Sequence, residues 1–260
     1  MLSFLDMQAK KTPDALAVDD PCAGVRLTFR ELDEVTDRLA AVLFHKHGVR
    51  PDAVVGIFME RSAEYVIANV AALKAGGAYM PLELVYPKGL LSRAIMQTKC
   101  QVVLSKSKHA ARLPEEDNFA VILIDSVNSV PAGASLPAEV YPVPATGFSP
   151  RPNPDNLAFV VMSSGTTGQP KGICQVHRSA VHSYYDRLER YPYHVNPDTG
   201  LFEDRIGAGV FFIWELFRPL LRGATCVVVP DEVPPPHTHT HTRARARASN
   251  FCLHIGIPII

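Results

Sequence analysis

Leu157-Ala-Phe-Val-Val-Met-Ser-Ser-Gly-Thr-Thr-Gly-Gln-Pro-Lys-Gly172 divides into two halves of opposite character. From Leu157 to Met162 it is apolar, which predicts a strand buried on both faces. The run then stops in small and hydroxylated residues. Gly165, Gly168 and Gly172 tolerate backbone conformations that a β-carbon forbids, and they let main-chain N–H groups approach a ligand. Ser163, Ser164, Thr166 and Thr167 add hydroxyls, and Lys171 adds a mobile cation. Donors packed this densely behind a buried strand suit a chain of phosphates. The spacing is not that of a Walker A loop, which runs Gly, four residues, then Gly-Lys-Ser/Thr. Counted from Gly165, Pro170 stands where the second glycine belongs, and Gly172 follows the lysine in place of a hydroxyl.

Outward from this stretch the chain reads as alternating helices and strands. Thr28 is an N-cap with Glu31 three positions later, a capping box ahead of Leu32, Val35, Leu39, Val42 and Leu43 on one helical face. Val54–Phe58 reads as a buried strand. Ser62 caps a helix carrying Val66, Val70 and Leu73 inward, and Gly76-Gly77 stops it. Leu73–Pro87 reads as a rigid corner. A helix near Leu90–Thr98 precedes strands at Gln101–Leu104 and Val121–Ile124, an alternation that argues for parallel α/β layers. From Val130 to Pro154 the chain is rich in Pro, Ala, Ser and Gly and reads as a surface loop. Phe211–Arg222 reads as an amphipathic helix ended by Gly223, with a buried strand at Cys226–Val229.

The bulk properties narrow the function. The 260 residues are 47% hydrophobic and 20% charged, with a formal net charge of zero. That balance gives no electrostatic footprint for nucleic acid or an anionic membrane. No apolar run approaches the roughly 20 residues that span a bilayer. Asp6 interrupts the N-terminus where a signal peptide needs a basic start and an apolar core, so an intracellular, cytoplasmic protein is expected. Cys22, Cys100, Cys174, Cys226 and Cys252 form no Cys-x-x-Cys pair; neither zinc nor redox chemistry is indicated. Cys100 and Cys226, in apolar runs, are expected to be buried thiols.

The order Ser-Ser-Gly-Thr-Thr-Gly-x-Pro-Lys-Gly resembles the phosphate-loop signature of the adenylate-forming superfamily. That group includes acyl-CoA synthetases, luciferases and the adenylation domains of non-ribosomal peptide synthetases. Leu27–Leu32 is similar to the first core of the peptide-synthetase branch. Leu73–Pro87 is similar to the second, with Glu83 where Asp is more usual. Gln8–Val18 resembles the usual start of such domains. The resemblance implies an α/β fold: an incomplete large N-terminal domain spanning 1–232, with mixed sheets layered with helices and no small C-terminal domain.

It also implies a chemistry. Members join a carboxylic acid to ATP, usually with Mg²⁺, and give an acyl-adenylate and pyrophosphate. A phosphopantetheine or CoA thiol then accepts the acyl group in most members. By resemblance, Ser163, Ser164, Gly165, Thr166, Thr167, Gly168 and Lys171 form the nucleotide cradle, with Lys171, Thr166 and Thr167 closest to the chemistry. His177, shortly after the loop, falls where members often carry a histidine; a satisfied structural histidine is the other reading. Phe211–Thr225 resembles the fourth core, with Trp214 and Glu215 in register. Val210 stands where amino-acid-activating members hold the substrate ammonium with Asp. A valine cannot pair a buried ammonium, so a standard α-amino acid is not expected, and an aryl acid, a fatty acid, or an amino acid held another way is; by resemblance Gly209, Val210, Phe211 and Phe212 stand near the acid pocket. A catalytically inactive fragment that binds nucleotide or a partner is the alternative reading.

Beyond Glu232 the character changes. His-Thr repeats at 237–242 and Arg-Ala repeats at 243–248 are what CA and CG dinucleotide tracts encode. The segment 233–260 is therefore expected to be disordered, of the kind intron read-through produces.

Overall fold

The computed structural model describes residues 2–115, 119–125, 152–163, 171–192, 203–206 and 212–229. In chain order the elements are α1 (Leu2–Lys11), β1 (Leu16–Asp20), β2 (Val25–Thr28), α2 (Phe29–His45), β3 (Val54–Phe58), α3 (Ala63–Lys74), β4 (Ala78–Pro81), α4 (Lys88–Gln97), β5 (Val102–Ser105), α5 (Ser107–Ala110), β6 (Ala120–Leu123), β7 (Leu157–Ser163), β8 (Lys171–Val176), α6 (His177–Arg190), β9 (Glu203–Ile206), α7 (Phe212–Arg222) and β10 (Thr225–Val228). One sheet has the order β6-β5-β3-β4-β7-β8 and is parallel except for β8. The other has the order β2-β1-β10-β9, with β2 antiparallel to β1. The expectations for the 233–260 tail and for most of the 130–154 stretch fall outside the described residues.

Local signals account for the helix starts. The amide of Glu31 donates to Thr28 Oγ1 at 3.2 Å, and the amide of Thr28 donates to Glu31 Oε2 at 2.7 Å, closing the capping box. Ser62 Oγ accepts from the Tyr65 amide at 3.3 Å. A second cap comes from across the chain: Asp20, at the end of β1, accepts from the Ala63 amide at 3.0 Å. Burial raises the Asp20 pKa, opposed by these backbone hydrogen bonds.

Packing decides the rest. All residues of β3 are buried, and α3 is buried on every side against α2, β1, β3 and β4. A helix enclosed in this way has no polar face to keep. Its one cation, Lys74, reaches back to α2 and is held by Asp33 and by Asp37 at 2.7 Å. Gly76 ends the helix at φ 88°, and a β-carbon at Gly77 would lie 2.9 Å from the Ala53 carbonyl oxygen.

Three features go beyond the sequence reading. Leu73–Pro87 is more than a corner, because β4 within it is a central strand between β3 and β7. The first twenty residues supply a helix and β1, neither of which periodicity had suggested. The second sheet is closed by distant partners: β1 pairs with β10 in parallel, and Thr225 Oγ1 donates to the Leu16 carbonyl, 209 residues away, at 2.9 Å. Cys100 and Cys226 are buried, as expected. Among the described residues no helix is long and apolar enough to cross a membrane.

Candidate nucleotide site

The organising stretch folds as a hairpin. β7 and β8 pair antiparallel in the register Leu157↔Val176 through Met162↔Gly172 to Ser163↔Lys171. Directly opposite residues in such a ladder have Cα atoms about 5 Å apart. The loop 164–170 therefore begins and ends at one narrow neck. Ser164, Gly165, Thr166, Thr167 and Gly168 lie outside the described residues, so the structure fixes the frame of the loop through Ser163 and Lys171. Ser163 Oγ donates to the Lys171 carbonyl at 3.2 Å. Lys171 is exposed, and its ammonium makes no ion pair with any described residue.

The neck stands at the carboxyl end of β7. β4 runs beside it in parallel, with Tyr79 opposite Phe159. In open α/β sheets, ligands bind outside the carboxyl ends of the parallel strands. The same edge carries the residues that follow β3, β4 and β5. There Arg61, 2% exposed in its side chain, meets Glu83 at 2.9 Å and lies over the Tyr65 ring at 4.6 Å. Lys106 bridges Glu60 at 2.8 Å and Glu64 at 2.9 Å. Lys108 and His109 also reach Glu60, at 2.9 and 2.7 Å. Burial alone would raise the Glu60 carboxyl, but hydrogen bonds from Lys106 and Lys108 win and hold it at about 2. These charges pair with one another.

Directly opposite residues share a face, and so do alternate residues along a strand. Ser163 and Lys171 thus project on the side of Val161 and Phe159. On that side Phe159 stacks on Tyr79 with centroids 5.4 Å apart, and Tyr79 meets Phe217 of α7 at 5.5 Å. The sheet face that carries the lysine is therefore the face on which α7 packs. Gly209, Val210 and Phe211 come immediately before α7 and lie outside the described residues.

His177 is set apart from this edge. It opens α6, and its amide donates to the Asn156 carbonyl at 3.0 Å. The six residues of β8 carry the chain about 20 Å from the neck. The ring is 5% exposed, and Nε2 has no hydrogen-bond partner among the described residues. Burial pushes its pKa down to about 4. Tyr184 is buried against Phe217, and Tyr185 packs on Phe4.

Sequence reasoning missed the carboxyl-edge ion network and the Tyr79–Phe159 stack. The signal for the first was Glu60-Arg61 directly behind a wholly apolar strand. The second left none, because it joins residues from distant segments. Among the described residues no group of three or more His, Cys, Asp or Glu is arranged to hold a metal ion.

The family model described as AMP-binding enzyme matches residues 5–253. The chain is 38% identical to glycine betaine reductase ATRR of Emericella nidulans over 237 residues, 88% of this chain and 17% of that protein. It is 32% identical to tyrocidine synthase 3 of Brevibacillus parabrevis, covering 88% of this chain and 3% of that one. A crystal structure of a variant of the nonribosomal peptide synthetase FmoA3 in its AMPPNP-bound form superposes with a TM-score of 0.69 at 30% identity. It covers 90% of this chain and 23% of the synthetase. The chain thus spans a small part of the length of each.

Proposed function

The chain belongs to the AMP-binding enzyme family, and from that membership we propose that it supplies the ATP-binding front of an enzyme that activates a carboxylic acid as its acyl-adenylate. One observation carries the proposal. A glycine- and hydroxyl-rich loop is closed at a neck on the carboxyl edge of a mostly parallel sheet, and beside it stands an exposed Lys171 that makes no ion pair with any described residue. In the reaction, the acid's carboxylate attacks the α-phosphorus and pyrophosphate leaves. Negative charge spreads over phosphate oxygens in the transition state, where fixed donors and a cation are most effective. Lys171 would neutralise the β- and γ-phosphates, while Ser164, Thr166, Thr167 and the amides of Gly165 and Gly168 orient them. Magnesium is held largely by substrate phosphates and water; with no described carboxylate cage at hand, it would enter with the triphosphate and offset its charge. The acyl group would then pass to a carrier-protein phosphopantetheine or a CoA thiol.

Val210 bears on the acid. A carboxylate at its position would suit a primary ammonium, and valine does not. A quaternary ammonium makes no N–H hydrogen bond and is recognised by aromatic faces, and the sequence after Val210 is rich in aromatic residues: Phe211, Phe212 and Trp214. The similarity to a glycine betaine reductase makes a betaine the first acid to try, ahead of aryl and fatty acids. The test is nucleotide binding by the chain, followed by acid-dependent ATP–pyrophosphate exchange in a longer protein containing it. Lys171→Ala should weaken ATP binding or exchange by about tenfold or more, the worth of one charge-assisted contact. Unchanged binding and exchange in that variant would remove Lys171 from the site.

A further inference from the structure

We infer that Ser163 is a positioning residue that latches the neck of the 164–170 loop and does not ligate phosphate. The functional consequence rests on the nucleotide-binding reading; the latch itself does not.

Ser163 has one hydroxyl proton to give. It gives it to the Lys171 carbonyl, the residue directly across the ladder. What remains on the oxygen are lone pairs, which repel phosphate oxygens. The bond lies where the hairpin is weakest. β8 is the outer strand of its sheet, and its first four residues, Lys171 to Cys174, are exposed. An outer strand has a ladder on one side only, so its last rung frays first. Deeper in the hairpin, Phe159 is anchored on the buried Tyr79 and cannot follow such fraying. The soft joint is thus the final rung, and the Ser163 hydroxyl adds a second tie across it. That tie fixes the backbone from which the Lys171 side chain departs. Lys171 is then aimed before any ligand arrives, which lowers the ordering cost of binding.

The experiment compares the 260-residue chain with Ser163→Ala, Ser163→Val and Ser163→Thr. Hydrogen exchange is followed without nucleotide on peptides covering 157–176. Ala and Val should exchange there about two- to fivefold faster, the loss of one partly exposed hydrogen bond, with other segments unchanged. Thr, which matches Val in shape but keeps the hydroxyl, should exchange like the wild type. A titration with methylanthraniloyl-ATP then separates the two ideas, with Lys171→Ala alongside. Wild type and Thr should bind alike and Ala several-fold more weakly. If Ala or Val leaves exchange unchanged, the latch is overturned. If Ala weakens nucleotide binding with exchange unchanged, Ser163 is a phosphate ligand after all. If the wild type binds no nucleotide, the phosphate-loop reading falls, while the exchange data still decide the latch.

Discussion

His177 makes acid stability a sharp test of the fold. Its ring is buried at the start of α6, where Nε2 lacks a partner among the described residues. Burial penalises the charged form, so the folded protein protonates this imidazole at about 4 where an exposed one does so near 6.5. The unfolded chain therefore holds more protons than the folded one between those values. The contribution of neutral His177 is complete above pH 6.5 and drains away as pH falls toward about 4. Each pH unit of displacement is worth about 1.4 kcal/mol, which sets a ceiling of about 3 kcal/mol. Partial relaxation and water entry should leave about 2 kcal/mol. Urea unfolding followed by far-ultraviolet circular dichroism at pH 7 and pH 4, for the wild type and His177→Phe, measures it. Carboxylates such as Glu60 and Asp20 titrate in both proteins and cancel in the difference. The wild type should lose about 2 kcal/mol more than the variant. An equal loss in the two would mean that His177 is hydrated or paired, and that the burial argument is wrong.

Other perturbations probe the frame around the site. Phe217→Ala removes a fully buried ring that joins Tyr79 and Tyr184 and should cost about 3–5 kcal/mol in urea, loosening α7 from the sheet in hydrogen exchange. Gly77→Ala would set a methyl 2.8 Å from Val49 and 2.9 Å from a backbone oxygen that cannot turn away; a loss of about 1–3 kcal/mol in thermal or urea unfolding is expected. Glu64→Gln leaves the buried Lys106 with Glu60 as its remaining carboxylate, and the free energy of urea unfolding at pH 7 should fall by about 2–3 kcal/mol.

Much of the fold was legible because its determinants are local. The Thr28–Glu31 box and the Ser62 cap each satisfy orphan amides within one turn. A residue's neighbours three positions away suffice to read them. The runs at Val54–Phe58 and Leu157–Met162 announced buried strands, since parallel strands covered on both faces have no polar period to hide them. β4 was harder. At four residues ending in a proline it has the composition of a turn, and only its place between β3 and β7 makes it a strand. His177 shows a different limit. The resemblance offered it as a substrate-binding residue beside a structural reading, and only the fold shows where it stands: an extended strand advances about 3.3 Å per residue, and β8 runs that length away from the neck before His177 opens α6.

The amino-acid order alone thus determined the capped helices, the buried strands at Val54–Phe58 and Leu157–Met162, and the chemistry that the side chains of the glycine-rich stretch offer. Tertiary structure alone decided that β1 would find β10, that Asp20 would cap α3, that Tyr79 would lie beneath Phe159, and that the Ser163 hydroxyl would close on Lys171. The reason is physical. Caps and hydrophobic periods are set by contacts a few residues apart, which the chain carries even when unfolded. Sheet order, ring stacking and ion networks exist only once distant segments have surrendered their freedom together, and which of them meet depends on how the whole core packs.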